Sequence, residues 1–224
     1  MITVHHLNDS RSQRVLWLLE ELGLPYEIKH YQRDSKTMLA PPELRAVHPL
    51  GKSPVITDGE ATVAESGAII EYLIDRHGNG RLRPAIGTPE FLQYRYWLHF
   101  AEGSAMSPLL MKLVFDKVAS SPMPFFVKPI ARGISAQVLK SFVMPNIERQ
   151  LDFMESELAQ RPWFAGAEFS AADIQMSFPL EASAQRAGLD ARRPKLHDWL
   201  RRIHARPAYK KALERGGPYS FAKD

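Results

Sequence analysis

The sequence predicts a mixed α/β domain followed by an all-helical domain. Three observations carry this. The first eighty residues alternate short apolar runs of strand period with segments of helix period. Residues 77–89 then hold three Gly and two Pro with little hydrophobic pattern. Beyond them every apolar repeat has helical spacing and no strand run appears. The expected division is 1–80 for the α/β domain, 81–89 for a linker and 90–224 for the helical domain.

Ile2–Leu7 is a short strand. Ser12–Leu22 places Val15, Leu18, Leu19 and Leu22 on one helical face, and Gly23 with Pro25 ends that helix. Tyr26–Tyr31 alternates as a strand. The polar stretch 33–49 holds at most a short helix. Val55–Thr57 and Ala61–Ala64 flank Asp58-Gly59, a hairpin signal whose loop is expected to be two residues or slightly longer. Ile69, Tyr72 and Leu73 mark a helix from Ser66 to about Gly78. The order is βαβ then ββα, which gives a small mixed sheet covered by helices. In the second half the helical stretches are Phe91–Val118, Ile130–Leu158, Ala171–Arg186 and Lys195–Ala205, with a last short helix from Pro207. Pro122, Pro124 and Pro129 interrupt the chain, and Pro145 starts or kinks a helix.

Composition narrows the function. Of 224 residues, 45% are hydrophobic and 24% charged, enough for a full core. There is no cysteine, so disulfides, thiolate metal sites, CxxC redox chemistry and a cysteine nucleophile are excluded. Any thiol chemistry must use a thiol brought by a ligand. No metal is expected. The N-terminus lacks a signal-peptide pattern, and no run approaches the roughly 18 apolar residues of a membrane span. A cytoplasmic protein with no membrane partner is expected. The net charge of +4 comes from scattered basic residues, apart from Arg192, Arg193, Lys195 and the pair Arg201–Arg202. This suits attraction of small anions better than nucleic-acid binding.

The most informative run is His48-Pro-Leu-Gly-Lys52-Ser53-Pro54-Val55, followed after the hairpin by Glu65-Ser66-Gly-Ala-Ile-Ile. Ser66 at a helix start is expected as the N-cap, beside free amides and the positive end of the dipole, where a ligand carboxylate is favoured. Glu65 beside it suits an ammonium group. Together they match the head group of an α-amino acid, although a capped helix with a surface Glu reads the same way. A cis Ser53–Pro54 bond would turn Val55 outward as a strand edge on which an extended peptide pairs, and Lys52 suits a second carboxylate.

These segments resemble the glutathione-binding signature of cytosolic glutathione transferases, with His48 where the family usually has Asn or a similar polar residue. Phe169-Ser170-Ala-Ala-Asp173-Ile174, a capping-box variant, follows Trp163-Phe164-Ala-Gly166 and resembles the family's C-terminal motif, so the likeness spans essentially the whole chain. It implies a thioredoxin-like N-terminal domain, a homodimer, glutathione as co-substrate and a small apolar electrophile. It also implies that Glu65 and Ser66 hold the γ-glutamyl end, that Val55 after Pro54 pairs with the cysteinyl backbone, and that Lys52 with His48 faces the glycyl carboxylate.

A free thiol has a pKa of roughly 8.5 and reacts as the thiolate, so a donor must sit beside the sulfur. The turn Leu7-Asn8-Asp9-Ser10-Arg11-Ser12 has neither Tyr nor Cys. Ser10, four residues before Arg14 as in theta-like members, is the first choice. Asn8, Ser12 and main-chain amides are its rivals, and Arg11 supplies charge. Ser10 or Ser12 equally suits a plain helix cap, and His5-His6 suits core filling. Phe100, Ser104, Met106, Met111 and Phe115 are expected around the second substrate, and equally suit a core. Phe125 and Phe126 suit a lid or a packing loop. Substitution, addition, and peroxide or disulfide reduction all need only the activated thiol. A non-catalytic glutathione-binding protein keeps the same fold.

Overall fold

The computed structural model describes residues 1–222. Its first part runs β1 (Ile2–Leu7), α1 (Ser12–Leu22), β2 (Tyr26–Tyr31), α2 (Pro42–Val47), β3 (Val55–Asp58), β4 (Ala61–Ala64) and α3 (Ser66–His77). The sheet order is β2-β1-β3-β4, with β1 parallel to β2 and the other pairs antiparallel. This is the thioredoxin-like arrangement. The hairpin loop is two residues, Gly59-Glu60, because Asp58 pairs with Ala61. Gly59 takes φ +60° there, a conformation costly for a side chain.

Residues 79–88 contain no helix or strand. The chain continues as α4 (Pro89–Phe100), α5 (Met106–Ser120), α6 (Lys128–Val138), α7 (Met144–Gln160), α8 (Ala171–Arg186), α9 (Pro194–Ala205) and α10 (Pro207–Gly216). Two of the expected helices are each divided by a π-helical turn, at Ala101–Ala105 and Leu139–Val143. Pro145 sits in the first turn of α7, directly after the π-helical turn at Leu139–Val143, so the irregular stretch of the helix falls where proline offers no N–H. None of the described helices is long and apolar enough to cross a membrane.

One apolar core joins the two parts. Val15, Leu16, Trp17 and Leu18 of α1 share it with Tyr94, Trp97, Ile174, Met176 and Tyr209. The capping box of α8 forms as its sequence suggests. The Ser170 hydroxyl accepts the Ala172 amide at 3.3 Å, and Asp173 accepts the Ser170 amide at 3.0 Å. Asp173 does more than cap, since it also accepts the Phe164 amide and the Trp199 indole N–H, each at 3.0 Å. It thus ties α8 to the 163–164 loop and to α9. Burial pushes its carboxyl up to about 6, against the pull of those donors. The capping box also lies beside the connector, because the Ala171 amide donates to Leu82 O at 2.8 Å.

Candidate functional site

Two cavities open beside the β1–α1 turn, and Arg11 and Leu110 line both. The smaller one, about 300 Å³, is a groove built mainly from the first part of the chain. Its walls include His48, Lys52, Ser53, Pro54, Glu65 and Ser66. The structure therefore gathers residues 48–54 and 65–66, distant in sequence, through the β3–β4 hairpin between them. Ser53–Pro54 is cis.

Two details differ from expectation. Helix α3 begins at Ser66, so Glu65 and not Ser66 holds the cap position, with φ 70° and ψ 127° and no side-chain capping bond. A non-glycine residue with this backbone is strained, and such strain is kept where the surroundings impose it. Val55 opens an interior strand, facing His5 of β1 and Ala64 of β4. It is buried and forms no exposed edge of the sheet, because β4 covers that side of β3. Pro54 and Ser53, just before it, are the groove-lining residues.

The floor of the groove is an ion cluster that had no sequence signature. Arg14 is almost wholly buried. Its guanidinium donates to Ser66 Oγ at 2.9 Å, to the Gln175 carbonyl at 2.6 Å and to Glu102 at 2.5 Å. Arg11 Nε reaches both oxygens of the same Glu102, at 3.1 and 3.0 Å. Burial raises the Glu102 carboxyl, and the two guanidiniums outweigh it and hold it below its ordinary value. Glu102 arrives from the π-helical turn at 101–105. The Ser66 hydroxyl is thus aimed by Arg14, and the groove combines two carboxylates, a lysine and the amides of a helix start. That set complements a zwitterionic peptide with more than one carboxylate.

In the β1–α1 turn the side chains divide. Ser10 is buried and lines neither cavity. Its hydroxyl bonds Ser12 Oγ at 2.7 Å, accepts the Ser12 amide at 3.2 Å and reaches Ser53 Oγ at 3.3 Å. Ser12 continues inward to His6 Nδ1 at 2.8 Å. His5 bonds the Tyr31 hydroxyl at 2.9 Å, so both histidines fill the interior. Desolvation pushes His6 down to about 4. Asn8 lines the larger cavity. Its Oδ1 accepts the Arg33 amide at 2.9 Å, which leaves Nδ2 without a protein partner among the described residues. Arg11 faces both cavities.

The larger cavity, about 520 Å³, has room for a small aromatic molecule. Met106, Leu109 and Leu113 of α5 line it, with Phe178 of α8 and Phe221 near the C-terminus. Of the residues expected there only Met106 takes part. Phe100 packs with Tyr96, Trp97 and Phe153 in an aromatic cluster. The Ser104 carbonyl is held by Gln150, and Met111 packs on the core. Phe115 also lies outside the lining. On α5 the side chains at 106, 109, 110 and 113 share one helical face and line the cavity, while Met111 and Phe115 lie nearly opposite it and Ser104 sits within the π-helical turn. Phe125 and Phe126 are exposed, 84% and 64%, pack on each other and line neither cavity.

Phe221 and Phe178 had no motif to reveal them. Phe221 is held because Tyr219, two residues earlier, donates to the buried Glu181 at 2.7 Å, a carboxylate that also accepts the Tyr209 hydroxyl. The Ser220 amide meets Asp9 Oδ1 at 2.7 Å. The C-terminal segment is thereby pinned across the β1–α1 turn.

Comparison with known proteins agrees with this fold. Residues 10–76 match the model of the glutathione S-transferase N-terminal domain, and 132–202 that of the C-terminal domain. Glutathione S-transferase 3 of Schizosaccharomyces pombe is 38% identical over 96% of this chain and 88% of its own. Glutathione S-transferase 1 of Saccharomyces cerevisiae is 33% identical over 96% and 95%. A glutathione S-transferase structure from Actinobacillus pleuropneumoniae superposes with a TM-score of 0.81 at 33% identity, covering 100% of this chain and 97% of that one. A Phanerochaete chrysosporium enzyme in complex with oxidised glutathione shares the fold, with a TM-score of 0.75 at 24% identity over 96% of each chain. With both domain models matched and relatives aligned along nearly its whole length, the chain belongs to the glutathione S-transferase family.

Proposed function

We propose that the protein is a glutathione transferase that holds glutathione in the smaller groove and directs its thiolate into the larger cavity. The observation that carries this is the junction of the two cavities at Arg11, one polar and doubly charged in character, the other walled by Phe178 and Phe221. Glu65 and Ser66 hold the γ-glutamyl end, and Lys52 with His48 faces the glycyl carboxylate. The backbone at Ser53 and Pro54, which lines the groove, positions the cysteinyl residue. The sulfur then lies at the β1–α1 turn. There the thiol loses its proton to solvent, the thiolate forms a C–S bond with an electrophilic carbon, and a halide or similar group leaves with the electrons of the broken bond.

For the group that stabilises the sulfur, the geometry favours Asn8 over Ser10. Asn8 Nδ2 is an uncommitted donor on the cavity wall, while the Ser10 hydroxyl is engaged by Ser12 and Ser53 and holds the turn in place. Arg11 adds positive charge at the junction, which favours the thiolate. The division into residues 1–80, 81–89 and 90–224, a cytoplasmic location and a homodimeric assembly complete the reading, which the family resemblance supports.

The test is turnover of glutathione with an aryl halide. Asn8→Ala is expected to lower kcat/KM by about 10-fold to 100-fold, the loss of one hydrogen bond to a charged atom. Ser10→Ala is expected to act mainly through stability. Full activity in Asn8→Ala with collapse in a folded Ser10→Ala would reverse the assignment.

A further inference from the structure

The wall of the larger cavity is richer in charge than an uncharged apolar substrate requires. Arg11, Arg33, Lys112, Lys117 and Arg186 reach it, against Asp9 and Asp116. Some of this charge is already answered. Arg11 is paired with Glu102, and Lys112 holds Asp116 at 2.7 Å. Asp9 accepts the Ser220 amide. Arg33, Lys117 and Arg186 form no ion pair with a carboxylate among the described residues.

Two of these three are placed for recognition. Arg33 is partly buried and donates only to main-chain carbonyls, Asn8 O at 3.3 Å and Met38 O at 3.2 Å. Its charge is therefore poorly solvated and lacks a counter-ion beyond the nearby Asp9. The Arg186 guanidinium lies over the Phe221 ring, 4.5 Å from its centroid. The stack fixes the cation and leaves the N–H groups around its edge open. Arg11 sits in the same way over Phe178, at 5.0 Å. Both aromatic walls of the cavity thus carry a guanidinium.

We infer that the second substrate is an aromatic electrophile bearing an anionic group, a carboxylate or a sulfonate. Arg33 and Arg186 hold the anion while the ring lies against Phe178 and Phe221. The inference rests on the glutathione-transferase reading of the adjacent groove. None of the three unpaired cations lines that groove, so their charge is not explained by glutathione binding.

Calorimetry with 3-nitrobenzoate and 3-nitrobenzamide reads the cavity without turnover, since the two probes share a ring and differ in charge. At low salt the benzoate is expected to bind about tenfold more tightly, with the difference shrinking as screening rises. Arg33→Gln and Arg186→Gln are each expected to cost the benzoate about threefold to fivefold while leaving the benzamide within about twofold. With glutathione as co-substrate, 4-chloro-3-nitrobenzoate should show the lower KM against 4-chloro-3-nitrobenzamide. Equal binding of the two probes, or variants that weaken both alike, overturns the inference. A protein that prefers the benzoate but binds no S-methylglutathione and turns over neither chloride keeps the anion pocket and loses the reading of the groove.

Discussion

The two cavities that meet at Arg11 are assembled in opposite ways. The groove draws on two short runs, 48–54 and 65–66, held by the β3–β4 hairpin and the start of α3, with Glu102 added from the helical part. The larger cavity draws side chains spaced along α5 and α8, with others from the β1–α1 turn, from Arg33 and Met38 and from the C-terminal segment, and no short contiguous motif marks them. A site made of contiguous backbone depends on local geometry. A site made of distant side chains depends on how whole helices pack, and so it tolerates variation in shape more readily.

Asp173 offers the largest perturbation of this contrast. Asp173→Ala removes the acceptor for two amides and an indole N–H, all buried, and is expected to destabilise the fold by about 4 kcal/mol in urea titration. Since α8 carries Phe178 and Arg186, the surviving folded protein should lose more affinity for the second substrate than for glutathione. The reverse result would break the contrast.

The groove itself should fail locally. The Glu65→Gln, Ser66→Ala double variant is expected to weaken glutathione about 100-fold, from two contacts to charged groups. The thermal stabilisation given by millimolar glutathione should vanish, with the unliganded melting temperature lowered only modestly. The larger cavity should fail separately. Phe221→Ala is expected to raise KM for an aromatic electrophile by about tenfold, the loss of one aromatic wall, with glutathione KM unchanged. A parallel rise in both would show that the C-terminal segment serves the groove as well.

The smallest effect concerns the buried support beneath the turn. His6 is held neutral down to about 4, below its ordinary 6.5, chiefly by desolvation. The unfolded chain therefore binds more protons between those values, and stability should fall as pH drops from about 6.5 toward 4. Above 6.5 this contribution is complete and flat. His6→Gln should flatten the acid side of the stability curve, read by urea midpoints across that range.

Much of this was legible in the sequence. The strand and helix order, the groove residues and the capping box all rest on local signals: hydrophobic period, proline and glycine positions, and short motifs. The errors were of register and of partner. Phe100, Ser104, Met111 and Phe115 were on the right stretch of chain but on the wrong face: Phe100 joins an aromatic cluster, and Met111 and Phe115 lie nearly opposite Met106 around α5. Ser10 stands at the expected place in the turn, yet its hydroxyl faces Ser12 and Ser53, a choice made by neighbours rather than by spacing. Arg14 and Glu102 were invisible as a pair, since 88 residues separate them.

The sequence alone determined that any thiol used here must be borrowed, because a chain without cysteine has none to offer, and most of the residues that line the smaller groove, because that groove is mostly written in two short runs. Only the tertiary structure decided which side chains of the β1–α1 turn reach a cavity and what walls the larger one. Those side chains meet through packing of α5, α8 and the C-terminal segment, and packing acts between residues that no local pattern connects.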